Sequence, residues 1–277
     1  MKRIVTIQDI SCVGKCSLTV ALPIISAMGI ETAIIPTAVL SSHTSFKSFT
    51  FKDLTEEILP IAKEWQKENL TFDAIYTGYL GSKKQINIIK TFIDQFKTSE
   101  NRVIIDPVMA DNGKLYQGFT MDFVEEMTKL CQKASIIIPN LTEACLLTKQ
   151  PYRQEYDRAY IENLLSKLLE TGCEMAVITG VTLNPGKIGV IAKKQNEQEI
   201  IFYENDLIAS SYHGTGDIFS STFVAALVSN FSIYEALKLA ADFTRECINL
   251  TVNDNNHRWY GVNFEKALPY LIKQLKS

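Results

Sequence analysis

Chemistry is easiest to place at His213-Gly214-Thr215-Gly216-Asp217, which runs directly into Ile218-Phe219-Ser220-Ser221-Thr222-Phe223-Val224-Ala225-Ala226-Leu227. Glycines let a backbone come close to an anion. The apolar, small-residue run after them predicts a helix whose first-turn amides and positive dipole end would face that anion. The carboxylate of Asp217 has two explanations in this setting. An acid is favoured in the first turn of any helix, which needs no function. An acid beside an anion site also suits phosphoryl transfer, where it accepts the proton of an attacking hydroxyl while neighbouring amides hold the charge developing on the transferred group.

Further polar groups follow short apolar runs. Arg102-Val103-Ile104-Ile105 ends in Asp106-Pro107, Ala134-Ser135-Ile136-Ile137-Ile138 ends in Pro139-Asn140-Leu141-Thr142-Glu143, and the first apolar run ends in Gln8-Asp9. In a doubly wound sheet, ligands bind outside the carboxyl ends of the strands, so these acids are expected on one rim. Taken singly, Asp106, Asn140 and Thr142 are also ordinary turn formers and helix caps. The sequence has no GxxxxGK[ST] loop, no GxGxxG after a strand and no protein-kinase HRD or DFG set, which leaves the Gly214–Asp217 turn as the anion site.

The elements that must position these groups can be read from periodicity. Strands are predicted over residues 4–8, 32–36, 72–77, 102–106, 134–139 and 175–179, alternating with helical stretches as βαβ units do. Ile86, Ile89, Ile93 and Phe96 form one apolar stripe, and Ile161, Leu164, Leu165, Leu168 and Leu169 form another that closes at Gly172. Continuous runs such as Ile136-Ile137-Ile138 predict strands covered on both faces. The expected fold is a three-layer α/β/α sandwich with a mostly parallel central sheet. Runs 187–193 and 199–203 around a polar turn at 195–198 predict an edge hairpin. Ser232-Ile233-Tyr234-Glu235 predicts a capping box opening a helix with Leu237, Ala240, Ala241, Thr244 and Ile248 on its apolar side. Residues 253–261 read as a connecting loop, or as a segment reaching the nucleotide, and Glu56, Glu57, Lys63, Glu64, Lys67 and Glu68 as the solvated face of a helix. No linker or repeat interrupts the chain, so one domain over residues 1–277 is expected.

Composition narrows the function classes. With 28 Lys+Arg against 31 Asp+Glu, a net charge of −3 and 46% hydrophobic residues, the chain reads as a soluble globular protein with no electrostatic footprint for nucleic acid or membrane. The apolar stretch after Met1-Lys2-Arg3 is too short for a signal-peptide core, and a cytoplasmic location is expected. Six cysteines without a CxxC pair or zinc spacing are expected to be free thiols.

At its GxGD turn the sequence resembles the ribokinase-like superfamily. Gln8-Asp9-Ile10-Ser11 with Gly14, Leu40-Ser41-Ser42-His43-Thr44, Thr77-Gly78-Tyr79-Leu80-Gly81-Ser82, Asp106-Pro107-Val108-Met109 and Pro139-Asn140-Leu141-Thr142-Glu143 are similar, in order and spacing, to the pyridoxal/pyridoxine/pyridoxamine kinase branch. The resemblance covers most of the chain. It implies ATP-dependent phosphorylation of the 5′-hydroxyl of a vitamin B6 vitamer, in a fold without a separate lid domain. By position it makes Asp217 the base and Gly214, Thr215 and Gly216 the anion hole. Asp106 and Glu143 then fall where magnesium and ATP phosphates are held, with Asn140 beside them and Thr179 at a nucleotide contact. The ring site draws on Asp9, Thr44 and Tyr79, with Ser11, Cys16 and Ser45 nearby. ATP and Mg2+ are implied, a monovalent cation is left open, and a homodimer is the family expectation.

Departures from the family pattern bear on substrate. Several pyridoxal kinases have serine where Asp9 stands, so a carboxylate here would read the ring nitrogen or phenolic oxygen. Relatives that phosphorylate hydroxymethylpyrimidine in thiamine synthesis in some cases carry cysteine at the position of Asp217, after a similar His-Gly-Thr-Gly. Asp217 therefore points to the B6 branch, while His213 keeps a pyrimidine or dual-specificity kinase open. Cys16 is placed either near the vitamer aldehyde or as an inert buried thiol. A non-catalytic vitamer-binding sensor is the rival from another class, and the retained acid beside an anion hole argues against it.

Overall fold

A computed structural model describes residues 1–275. The predicted alternation becomes β1 (Arg3–Ser11), α1 (Leu18–Ala27), β2 (Glu31–Leu40), an edge strand β3 (Phe51–Asp53), α2 (Ile58–Lys67), β4 (Ala74–Thr77), α3 (Lys83–Phe96) and β5 (Arg102–Ile105). A small ribbon, β6 (Ala110–Asp111) and β7 (Lys114–Leu115), precedes α4 (Met121–Cys131), β8 (Ile136–Ile137), α5 (Leu141–Thr148), α6 (Arg158–Leu169) and β9 (Met175–Val181). The hairpin β10 (Lys187–Lys194) and β11 (Ile200–Asp206) leads into α7 (Thr215–Val228), α8 (Ile233–Val252) and α9 (Phe264–Gln274).

Among the described residues the main sheet runs β11-β10-β9-β8-β5-β4-β1-β2-β3. Strands β1, β2, β4, β5, β8 and β9 are parallel, and β3 and β10 pair antiparallel at the two sides. The chain leaves β1 for β2 and then returns past it to β4. Strand order therefore reverses at β1, and the carboxyl ends on either side splay into a crevice. Side-chain alternation fills both faces. Val5, Ile75, Val103, Ile105, Ile137 and Ile178 pack under α2 to α6, while Ile4, Tyr76, Ile104, Ile136 and Val177 pack under α1, α7, α8 and α9. The predicted stripes on α3 and α6 are buried in full.

Boundaries differ where proline and a bulge intervene. Strands β1 and β2 run past the predicted stops at Gln8 and Pro36, because the register shifts between Gln8 and Ile10 and pairing resumes as Ile10 with Val39 and Ser11 with Leu40. Such an irregularity re-aims side chains at a strand end, here those around Asp9. Strand β8 is shorter than predicted, yet Ser135 N–H donates to Val103 O at 2.8 Å and Ile138 N–H to Ile105 O at 2.9 Å, so the chain stays extended on both sides. Helix α8 buries Ala236, Leu237, Leu239, Ala240, Phe243 and Cys247, and leaves the predicted Ala241, Thr244 and Ile248 lining a cleft. Among the described residues no helix is long and apolar enough to cross a membrane.

Candidate active site

The anion turn is built by α7 and the loop after β1. Gly214 caps α7 at φ 82°, ψ 0°. A Cβ there would lie 1.8 Å from the carbonyl oxygen of Lys15, so the conformation and the close approach both require glycine. The first-turn amides of α7 have no acceptor within the helix and open onto the cleft. Asp217 stands in that first turn. Burial raises its pKa to about 6, the Asp9 charge adds to the rise, and a hydrogen bond from the Ser17 backbone opposes it.

A cleft of about 500 Å³ spreads from this turn and contains the predicted nucleotide-side residues Asp106, Asn140, Glu143, Thr179 and Gly214 to Asp217. Asp106, at the end of β5, accepts a 2.7 Å hydrogen bond from Ser220 Oγ, one helical turn beyond Asp217. Its carboxyl is pushed up to about 7, chiefly by burial, with Ser220 opposing and Asp217 adding. Glu143 completes a capping box on α5, its Oε2 accepting the Asn140 N–H at 2.9 Å and its Oε1 accepting Met109 N–H at 3.0 Å. Burial and the nearby Asp106 raise its pKa well above the ordinary carboxylate range, against the pull of those amides. Thr142 is a structural residue, its hydroxyl accepting Gly113 N–H at 2.9 Å.

The outer wall of the cleft was not foreseen from sequence. Ile188, Val190, Leu207, Ala241 and Ile248 give it an apolar surface, and Tyr116 from the β6–β7 ribbon side also reaches it. A flat apolar slot beside an anion turn suits an aromatic base attached to phosphates. The signal in the sequence is the α8 stripe, whose Ala241 and Ile248 pack partly on the core and, with Thr244, also line the cleft. Ser220 was also missed, although its position three residues after Asp217 puts it on the same helical face.

Asp9, Ser11, Cys16, Ser17 and Tyr79 form a second group beside Asp217. Asp9 is buried and accepts from Ser11 Oγ at 3.2 Å, and burial raises its pKa against the bonds from Ser17 and Ser11. The Asp9 charge reaches Tyr79, whose ring stacks on Phe119 at 5.8 Å and offers a flat apolar surface. Cys16 is partly buried in the same group; burial, then Asp217 and Asp9, push its thiol up to about 12. Ser45 Oγ lies 2.9 Å from Nε2 of His213, and Thr44 is exposed on the same loop.

His43, not singled out by sequence, braces that loop. Its Nδ1 accepts Ser45 N–H at 3.1 Å, which leaves Nε2 to donate to Tyr260 O, also at 3.1 Å. Burial, with His213 adjacent, holds its pKa below the usual imidazole value, which keeps this neutral arrangement. Phe46 packs on Trp259 at 4.7 Å. The segment 253–261 thus reaches the loop of His43 and Phe46, and its residues are not among those lining the cleft of about 500 Å³.

A three-layer parallel sheet with an acid in a glycine anion turn at its carboxyl rim defines a small-molecule kinase of the ribokinase-like class. Comparison with known proteins is specific about the family. Residues 21–260 match the family described as phosphomethylpyrimidine kinase, and the chain belongs to it. It is 38% identical to a protein of Bacteroides thetaiotaomicron named as a candidate phosphomethylpyrimidine kinase and crystallised with pyridoxal, with a TM-score of 0.92 over 98% of this chain and 95% of that one. Pyridoxal kinase from Lactobacillus plantarum is 30% identical, with a TM-score of 0.91 over 99% and 98% of the two chains. A hydroxymethylpyrimidine/phosphomethylpyrimidine kinase of Bacillus subtilis is 27% identical over 72% of each chain. The chain is therefore a kinase of the pyridoxal/phosphomethylpyrimidine kinase family.

Proposed function

We propose that the protein transfers the γ-phosphoryl group of ATP to the 5′-hydroxyl of a vitamin B6 vitamer: pyridoxal, pyridoxine or pyridoxamine. The observation that carries this reading is the place of Asp217, in the anion turn on one side and within electrostatic reach of Asp9 and Cys16 on the other. A hydroxyl presented from the Asp9 pocket meets a phosphate presented from the cleft beside one carboxylate. The hydroxyl oxygen attacks the γ-phosphorus, its proton passes to Asp217, and the bond to the β-phosphate oxygen breaks. Amides of residues 214–216 face the charge on the transferred group. Tyr79 supplies a wall for the ring and Asp9 a partner for its nitrogen or phenol. Pyridoxal in the related Bacteroides crystal supports a B6 acceptor.

The cleft is lined by Asp106, Asp111, Glu143, Asp206 and Asp217 against one basic side chain of fixed charge, Arg245. A polyphosphate needs a cation there, and paired buried carboxyls with raised pKa values suit one. Among the described residues no group of three or more His, Cys, Asp or Glu side chains gathers at one point. Magnesium keeps waters and phosphate oxygens as ligands and needs only one or two carboxylates from the protein. Asp106 has free lone pairs for it, whereas both oxygens of Glu143 already accept backbone amides, which favours contact through water. When bound, the ion neutralises charge on the phosphates.

Hydroxymethylpyrimidine is the second reading. It rests on the family match and on Asp9, which can accept from an exocyclic amine as well as from a ring nitrogen. Purified protein with ATP and magnesium, offered each vitamer and hydroxymethylpyrimidine in separate reactions, tests both. Phosphorylation of a vitamer supports the proposal, turnover of the pyrimidine alone moves it to thiamine synthesis, and binding without turnover of any of them leaves a sensor. The acid limb gives an independent check. Because Asp217 must be ionised to take a proton and its pKa is raised to about 6, kcat/KM is expected to fall about tenfold per unit below pH 6 and to level off above pH 7. A flat profile from pH 5 to 8 would remove Asp217 as the base.

A further inference from the structure

Helix α7 carries three hydroxyl residues in a row, Ser220, Ser221 and Thr222, all buried in a stretch from Ile218 to Val228 that is otherwise apolar. A buried hydroxyl inside a helix commonly satisfies itself by donating to the carbonyl of the preceding turn. Thr222 does so, to Ile218 O at 2.7 Å, as do Thr244 to Ala240 O at 2.8 Å and Thr251 to Cys247 O at 2.6 Å on α8. Ser221 Oγ has no hydrogen-bond partner among the described residues. Ser220 follows neither pattern. Its Oγ crosses to the end of β5 and donates to Asp106 Oδ2 at 2.7 Å, a contact between positions 114 residues apart.

The backbone of Asp106 is fixed by the sheet and the turn after it, its N–H donating to Thr77 O at 2.9 Å and its carbonyl accepting Val108 N–H at 2.9 Å. Its side chain is buried, and among the described residues it has one hydrogen-bond partner, Ser220. A hydroxyl donating to a carboxylate at this distance is among the stronger hydrogen bonds in proteins. The other acid on the nucleotide side is held differently. Glu143 accepts Asn140 N–H at 2.9 Å on one oxygen, and Met109 N–H at 3.0 Å and Ala110 N–H at 3.4 Å on the other, so backbone amides orient it. Asp106 depends on a single hydroxyl for the orientation of its carboxyl, and that hydroxyl stands one helical turn beyond Asp217 on the helix that begins at the anion turn.

We infer that Ser220 is a positioning residue whose hydroxyl sets the orientation of the Asp106 carboxyl in the cleft and ties it to the helix that carries Asp217 and the anion turn. The inference rests on the reading of Asp106 as an acid that helps hold magnesium against the ATP phosphates. Both residues line the cleft. With Oδ2 engaged by Ser220, Oδ1 is the oxygen left for the ion or its waters. Without the bond the carboxyl is free to turn, and ordering it again opposes binding of the nucleotide with its ion. The loss therefore falls on nucleotide binding in magnesium and spares binding without it, a division that a merely structural serine would not produce.

The test is calorimetric titration of the full-length protein with β,γ-imido-ATP, in saturating magnesium and again in EDTA, with no acceptor present. Ser220→Ala is expected to raise Kd in magnesium about tenfold, the size of one hydrogen bond to a charged group, and to change Kd in EDTA by less than about twofold. Ser220→Cys is close in volume and has a weak donor, so a smaller rise of about threefold in magnesium is expected. Ser221→Ala is the control on the same helix and is expected to keep both values of the parent. Added to Asp106→Asn, Ser220→Ala is expected to change Kd by less than about twofold further, because the two residues act through one contact. A parent-like Kd in magnesium for Ser220→Ala would overturn the inference, as would equal losses in magnesium and EDTA with a lowered Tm, or an effect of the same size in Ser221→Ala. Asp106→Asn by itself keeps the two readings apart. If it retains the parent's magnesium dependence, the reading of Asp106 as a cation-holding acid fails. If it loses that dependence while Ser220→Ala retains it, only the positioning role falls.

Discussion

Asp217→Asn is expected to lower kcat by about 10³-fold, within the range found when a general base is removed, while the protein still binds ATP and acceptor. The amide keeps the shape of the carboxyl and its place in the first turn of α7, so the anion hole remains. It cannot take the proton, and the attacking oxygen stays neutral. The loss should sit in kcat and in kcat/KM alike, because the missing interaction is made only as the proton moves. Steady-state rates with direct titration of ADP and acceptor check this. A loss below tenfold, or one confined to KM, would show that the carboxylate binds and does not act as base.

Gly214→Ala carries the second large effect, for a steric reason independent of the reaction. The new methyl would lie 1.8 Å from Lys15 O and 2.9 Å from Lys15 C, which are backbone atoms that cannot rotate away, and φ of 82° adds strain. The turn must separate from the loop at residues 13–17, which costs about 3 kcal/mol or more and lowers Tm by roughly 6 °C or more. Because the displaced amides are those proposed as the anion hole, kcat/KM for ATP should fall on the order of 10²-fold in molecules that remain folded. Gly216→Ala is the contrast, since nothing lies within 4 Å of a Cβ there. Its Tm should match the parent within about 2 °C, and any loss should appear in ATP affinity. Equal stability for the two variants would contradict the packing of Gly214 on Lys15.

How much was legible in advance depended on how local the determinant was. The stripes on α3 and α6, the capping box at Ser232 and the β10–β11 hairpin come from spacing and short-range hydrogen bonds, and they stand as predicted. Strand ends were less legible, because a register shift beside Asp9 and the extended backbone around β8 are set by neighbouring strands. The α8 stripe packs on the core as its spacing predicts, with Ala241 and Ile248 only partly buried, and it takes the tertiary structure to show that they and Thr244 also line the cleft.

For the candidate site the division is sharper. Asp9, Asp106, Asn140 and Glu143 follow predicted strand ends, which a parallel sheet gathers on one rim, the Gly214–Asp217 turn shows in its glycines, and Thr179 comes from the family resemblance. The pairing of Ser45 with His213 and the contacts of His43 and Ser220 are not legible in the sequence. Their contacts join segments far apart in the chain, and no periodicity encodes such a contact. By itself the sequence determined the layer order, the rim and the anion turn, because these follow from residue periodicity and backbone chemistry. The tertiary structure alone decided which groups meet there, because the contacts join segments far apart in the chain: the backbone of Lys15 lies against Gly214, Ser220 reaches Asp106, and His43 ties Ser45 to Tyr260.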